Sequence, residues 1–124
     1  VFEMQNHSYD FHELKPRKGC LRMAGETAAA YRQCFLSDTQ RAQDLFVSLG
    51  IEAPVCYTYP YGAVNAEAEA LTAVCGFSVT LRCEEGVTAL TRDTACLKSI
   101  RRNNRDGRWS SAQFWDALLA QTEG

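Results

Sequence analysis

His7 and His12 are the only two histidines of the chain, set five positions apart in His7-Ser8-Tyr9-Asp10-Phe11-His12. Ligands on one helical face sit about three or four residues apart, so this spacing asks for a loop that curls both imidazoles toward one point. Such a pair suits zinc or another borderline divalent cation. Read alone, it is equally compatible with two unrelated surface or capping histidines. A second group, Tyr59-Pro60-Tyr61-Gly62, follows an apolar stretch that reads as a strand. Proline fixes the backbone ahead of Tyr61 and glycine permits a sharp turn after it, an arrangement that would hold the Tyr61 N–H toward a substrate oxygen. An ordinary turn with two packed tyrosines satisfies the same letters. Other chemistries are poorly supplied. Glu67 with Glu69, and Glu84 with Glu85, are alternate or adjacent carboxylates that do not span a glycosidic bond, and both pairs are expected to face solvent. No serine or cysteine stands in a nucleophile-elbow sequence, and its only base would be one of the same two histidines.

The elements that must position these groups follow from periodicity and punctuation. Val1 to Met4 reads as a short strand running into the histidine loop, and Pro16 and Gly19 mark a long irregular connection after it. Helix formers from Glu26 to Leu49 predict one long helix closed by Gly50. Pro54 to Tyr59 reads as a buried strand leading into Pro60-Tyr61-Gly62. Asn65 caps a second helix through Cys75, stopped by Gly76, and Phe77 to Leu81 is the next strand. Val87 to Leu90 and Leu97 to Ile100 are expected as further short strands. Ser110 opens the last helix with the capping box Ser110-x-x-Gln113, and Phe114, Trp115, Leu118 and Leu119 give it an apolar face, Trp115 being assigned to the core. Strands alternating with helices predict an α/β fold with mostly parallel strands, a barrel or a layer, within one domain over residues 1–124.

Size and charge narrow the partners. A chain of 124 residues with 46% hydrophobic content supports a packed core. Its formal charge of −2 gives no general attraction to nucleic acid or to an anionic membrane. The basic run Arg101-Arg102-Asn103-Asn104-Arg105-Asp106-Gly107-Arg108 is expected to be a solvated loop. Six cysteines lack any Cys-x-x-Cys spacing, which argues against a thiolate metal site. Cys56, Cys75 and Cys83 lie in apolar segments and are expected to be buried as small hydrophobes.

Taken together, the motifs resemble a known family. Glu3-x-Gln5-x-His7-Ser8-x-x-x-His12 resembles the second motif of the polysaccharide deacetylases, the NodB-homology domains of carbohydrate esterase family 4. Tyr57-x-Tyr59-Pro60-Tyr61-Gly62, then a helix and Gly76-Phe77, resembles that family's third motif and its sequel, and Leu97-x-x-Ile100-x-Arg102 resembles the end of the domain in one bacterial branch. The resemblance implies a deformed (β/α) barrel, of which this chain would be the C-terminal part. It implies that His7 and His12 ligate a zinc-type ion, with Ser8 orienting an imidazole. The Tyr61 backbone N–H would be the oxyanion donor, and Tyr59 and Pro60 would shape the groove beside Tyr61. The implied activity is removal of acetyl groups from the sugars of a polysaccharide, at the cell envelope or outside the cell.

Two departures stand out. Nothing matches the family's upstream Thr-Phe-Asp-Asp-Gly-like segment, which would supply the general base and the third metal ligand, so an incomplete fragment is expected. The late Leu-x-His, whose imidazole would act as general acid, is also unmatched, since no histidine follows His12. The alternative function is a catalytically degenerate relative that keeps the groove for carbohydrate binding or assembly. Exposed faces of a half-barrel would favour a homodimer.

Overall fold

The long helix expected over Glu26–Leu49 is α1, Ala28–Ser48, in the computed structural model, which describes residues 2–122. Thr27 caps it by accepting the Ala30 N–H at 3.1 Å, and Gly50 follows at φ 75°, the left-handed geometry that ends a helix. Its buried residues Tyr31, Phe35, Asp38, Thr39 and Ala42 recur at helical spacing and turn one face inward. The strand β1 is Cys56–Thr58, and Pro60–Gly62 form a single 3-10 turn behind it. Asn65 caps α2, Ala66–Val74, and Gly76 leads out of it toward β2, Val79–Leu81.

β1 and β2 pair in parallel, Cys56 opposite Val79 and Thr58 opposite Leu81. Two parallel bridges extend the stack, Asn6 beside Tyr57 and Ile100 beside Leu81. Four chain segments therefore run in one direction in the order Asn6, β1, β2, Ile100, with α1 and α2 in the crossovers. This is the parallel α/β arrangement of part of a barrel. Tyr57, Tyr59, Phe35, Tyr31, Phe11, Leu71 and Phe77 form the core between the strands and the helices. Within it the Cys20 thiol lies 3.2 Å from the Tyr57 hydroxyl, and burial pushes that thiol up to about 12.

The strand expectations need correction at both ends. Val1 lies outside the described residues, and the segment after it has no strand before the bridge at Asn6. Phe2 and Met4 are 97% and 52% exposed, so no layer covers them. Val87 to Leu90 is irregular for the same reason, with Leu90 69% exposed. In place of a strand from Leu97, a 3-10 turn at Thr94–Leu97 is capped by Asp93, and only Ile100 pairs. The last helix, α3, Ser111–Ala120, keeps its capping box but buries no residue fully. It leans on the 103–109 loop through half-buried Phe114, Ala117 and Leu118, which leaves Trp115 60% exposed rather than in the core. All six cysteines are free, and Cys83 is exposed, contrary to its expected burial.

Candidate metal centre and oxyanion loop

The C-terminal ends of parallel strands gather the candidate residues on one rim, as in other α/β folds. Asn6 opens the histidine loop and is itself fully buried. Its backbone brackets Tyr57 of β1, with Asn6 N–H to Cys56 O at 3.1 Å and Thr58 N–H to Asn6 O at 2.9 Å. Its side-chain oxygen accepts the Ser8 N–H at 2.8 Å, holding Ser8 at φ 72°, and its amide donates to Gln43 of α1. The loop is thereby bent immediately after His7.

Asp38 completes the bend from the core face of α1. Its two carboxylate oxygens accept the Tyr9 N–H at 3.0 Å and the Asp10 N–H at 2.7 Å. Burial raises its pKa, and those two backbone hydrogen bonds act in the opposite direction. Arg41 lies over the Tyr9 ring at 3.9 Å. None of Asn6, Asp38 and Gln43 was singled out from the sequence. The available signal was Asp38, a carboxylate on the same helical stripe as Tyr31, Phe35 and Ala42.

The two imidazoles meet, with ring centres 5.1 Å apart and planes inclined at 59°. Two imidazoles bound to one tetrahedral zinc at about 2.0–2.1 Å would stand with their ring centres roughly 5 Å apart, so the observed spacing fits. The tautomers fit as well. His7 Nδ1 lies 2.7 Å from the Thr58 carbonyl, which only accepts, so Nδ1 carries the proton and Nε2 keeps its lone pair. Tyr61 Oη lies 3.2 Å from both His12 Nδ1 and the His12 carbonyl. A hydroxyl donating to that carbonyl accepts from Nδ1–H, which leaves His12 Nε2 open too. Ser8 makes no hydrogen bond to either imidazole among the described residues, and its hydroxyl accepts the Phe11 N–H at 3.2 Å. The Thr58 carbonyl orients the His7 imidazole instead. Among the described residues, no set of three or more His, Cys, Asp or Glu side chains is placed to hold an ion, so the pair offers two donors.

Tyr61 adopts φ 57°, ψ 11°, a left-handed conformation that costs a residue with a Cβ about 1–2 kcal/mol. The turn imposes it, through Gly62 N–H to Tyr59 O at 2.9 Å and Ala63 N–H to Pro60 O at 3.0 Å. The Tyr61 N–H has no acceptor among the described residues. Its ring stands 4.6 Å from His12, which brings the turn and the histidine pair together. Gly19 and Gly62 lock the turn on either side. A Cβ on Gly19 would lie 2.6 Å from the Pro60 carbonyl oxygen, and one on Gly62 would lie 2.8 Å from the Cys83 backbone nitrogen. Tyr59 and Pro60, expected to line the groove, are fully buried instead. The Tyr59 hydroxyl bonds Thr72 of α2 at 2.9 Å, so both residues back the turn and only Tyr61 reaches the surface.

Three of the four excluded carboxylates have structural partners. Glu84 pairs with Arg82 and Arg101, and Glu67 with Arg22 at 3.1 Å. Glu69 accepts from Ser99 and, like Glu67, is half-buried rather than solvent-facing.

No family model and no curated protein matches the chain. Solved structures do. A de-N-acetylase of Aggregatibacter actinomycetemcomitans superposes with a TM-score of 0.68 at 16% identity, covering 94% of this chain and 47% of its own. The BpsB deacetylase domain of Bordetella bronchiseptica gives 0.64 at 25% identity, covering 82% of this chain and 42% of that one. The deacetylase PplD of Streptococcus pyogenes, in complex with acetate, gives 0.60 at 13% identity over 92% of this chain and 43% of its own. The chain thus has the fold of part of a deacetylase domain and spans less than half the length of each of these neighbours. The resemblance of its motifs to the polysaccharide deacetylases is matched by the fold.

Proposed function

We propose that this chain supplies the histidine and tyrosine side of a metal-dependent site that removes acetyl groups from N-acetylated, or O-acetylated, sugars of a polysaccharide. The observation that carries the reading is the convergence of His7, His12 and a left-handed Tyr61 on the rim of a parallel stack. A zinc-type cation bound there would polarise the acetyl carbonyl and the water that attacks it. His7 and His12 would hold that cation through Nε2, since each has its Nδ1 beside a protein oxygen. The Tyr61 N–H donates to the oxygen that gains charge as water adds to the acetyl carbon. The turn fixes that donor before substrate arrives, which spares reorganisation during the reaction. The exposed Tyr61 ring forms the wall beside the reacting sugar.

The reaction also needs a third protein donor and a general base, and no described residue stands with the histidine pair to supply them. The chain alone is therefore expected to hold zinc weakly, since two imidazoles leave a tetrahedral ion one ligand short. Polymers of this kind lie at the cell envelope or outside the cell, which is where the protein is proposed to act. Zinc titration followed by calorimetry tests the site, with one weak site expected that is lost in His7→Ala and in His12→Ala. Stoichiometric zinc retained by the double variant would overturn the assignment. Acetate release from chitin-type oligosaccharides, peptidoglycan and acetylated xylan, measured with a polypeptide that also supplies the third donor and the base, then tests the activity. Binding of these sugars with no hydrolysis under any metal would leave a carbohydrate-binding module.

A further inference from the structure

Arg102 stands on the same rim as the histidines and is held there without a countercharge. Ile100 pairs in parallel with Leu81, and Arg102 N–H donates to Glu84 O at 3.2 Å, so the two segments run together past their bridge. The guanidinium is fastened at two points, Nε to the Arg82 carbonyl at 2.9 Å and Nη2 to the Cys83 sulfur at 2.9 Å. Cys83 is also the residue against which Gly62 packs, so Arg102 adjoins the Tyr61 turn through a single side chain. Its neighbours Arg82 and Arg101 are both paired with Glu84, whereas Arg102 has no carboxylate partner among the described residues.

Beside it lies a cavity of about 370 Å³ lined by Cys83, Arg102, Asn103 and Asn104. That volume is at the small end of ligand sites, of a size for one sugar unit. Asn103 is rigid, donating to Gly86 O at 2.8 Å and accepting from Gln121 at 3.0 Å. The Asn104 amide has no intramolecular partner among the described residues and is left to bond a ligand.

We propose that this cavity is a subsite for a carboxylate-bearing sugar of the polymer, lying next to the residue that loses its acetyl group, with Arg102 forked onto the carboxylate. A single uncompensated guanidinium matches a monoanion, and its planar donors match a carboxylate. The identity of the polymer as an acetylated polysaccharide rests on the function proposed above. The carboxylate preference rests on the cavity alone.

Calorimetric titration of the chain with two tetrasaccharides separates the two ideas without requiring turnover. One probe is the N-acetylglucosamine tetramer and the other alternates N-acetylglucosamine with glucuronate. The acidic probe is expected to bind about tenfold more tightly at low ionic strength, the size of one charge-assisted contact. Arg102→Gln should remove that preference, and Arg102→Lys should keep part of it, with circular dichroism unchanged in both. Equal binding of the two probes, or a preference that survives in folded Arg102→Gln, would sink the subsite. Free acetate binding as tightly as the acidic tetramer, in an Arg102-dependent way, would show a site for small carboxylates and overturn the sugar assignment. An Arg102-dependent preference in a chain that takes up no zinc at His7 and His12 would keep the subsite and reject the deacetylase reading.

Discussion

A carboxylate on the core side of a helix is costly unless its oxygens are used, and those of Asp38 are used by the loop that carries both histidines. Replacing Asp38 by alanine strands two backbone donors at Tyr9 and Asp10. The expected loss is about 2–3 kcal/mol in urea denaturation, with zinc affinity falling roughly tenfold as the loop loosens. Asp38→Asn keeps one acceptor and should lose less of both. An unchanged zinc affinity in folded Asp38→Ala would mean that Asp38 serves stability alone. Gly62 offers a second test at this scale. Gly62 and Gly76 both have positive φ, at 63° and 87°, but a Cβ meets Cys83 at the first and open space at the second. Gly76→Ala should therefore cost only the backbone strain of about 1 kcal/mol, while Gly62→Ala should cost about 2 kcal/mol or more and displace the Tyr61 turn. Denaturant midpoints compare the two, and equal losses would mean that Cys83 yields freely.

Between α1 and the histidine loop, Arg17 fastens the irregular connection by an ion pair to Glu26 at 2.7 Å, both side chains about nine-tenths buried. The hydrogen bond from Arg17 holds the Glu26 carboxyl below its ordinary value. A depressed folded pKa means that the pair's contribution is fully present above the unfolded value and is lost as pH falls through the folded one. The chain should therefore lose stability below about pH 4.3, the ordinary glutamate value, and Glu26→Gln should flatten that acid limb while costing about 2 kcal/mol at pH 7. Thermal midpoints from pH 3 to 7 check it, and an acid limb unchanged by the substitution would assign the loss to other carboxylates. The helices were legible in the sequence because Asn65, Ser110, Gly50 and Gly76 mark their ends with local chemistry. Strands were legible only where a layer covers them. Val55 to Tyr59 and Val87 to Leu90 are both rich in β-favouring letters, yet only the first lies against the core. The site divides in the same way. His7, His12 and Tyr61 could be named from residue type and order. The Thr58 carbonyl that sets the His7 tautomer has no letter of its own, and the burial of Tyr59 and Pro60 depends on α2 packing behind them.

For the molecule as a whole, the outer side of the stack at Asn6 is the edge at which association is expected. Asn6 pairs with β1 on one side and has no strand partner on the other among the described residues. Phe2, Met4 and Val55 are exposed near that edge, and on α1 Leu45 and Leu49, four residues apart, are 50% and 67% exposed. The two leucines border an apolar groove of about 240 Å³ with Tyr9, Ala42 and Phe46. An open strand edge beside an apolar helix face favours association, and a net charge of −2 opposes it little. Self-association that rises with concentration is expected in sedimentation velocity, in keeping with a homodimer through the open side of the half-barrel. Leu45→Lys combined with Leu49→Lys places two charges on that face without touching the core. The double variant should weaken association by about tenfold or more while leaving the helical signal unchanged. A chain that stays monomeric at every accessible concentration would rule out the homodimer, and association unaffected by the two lysines would move its interface away from α1.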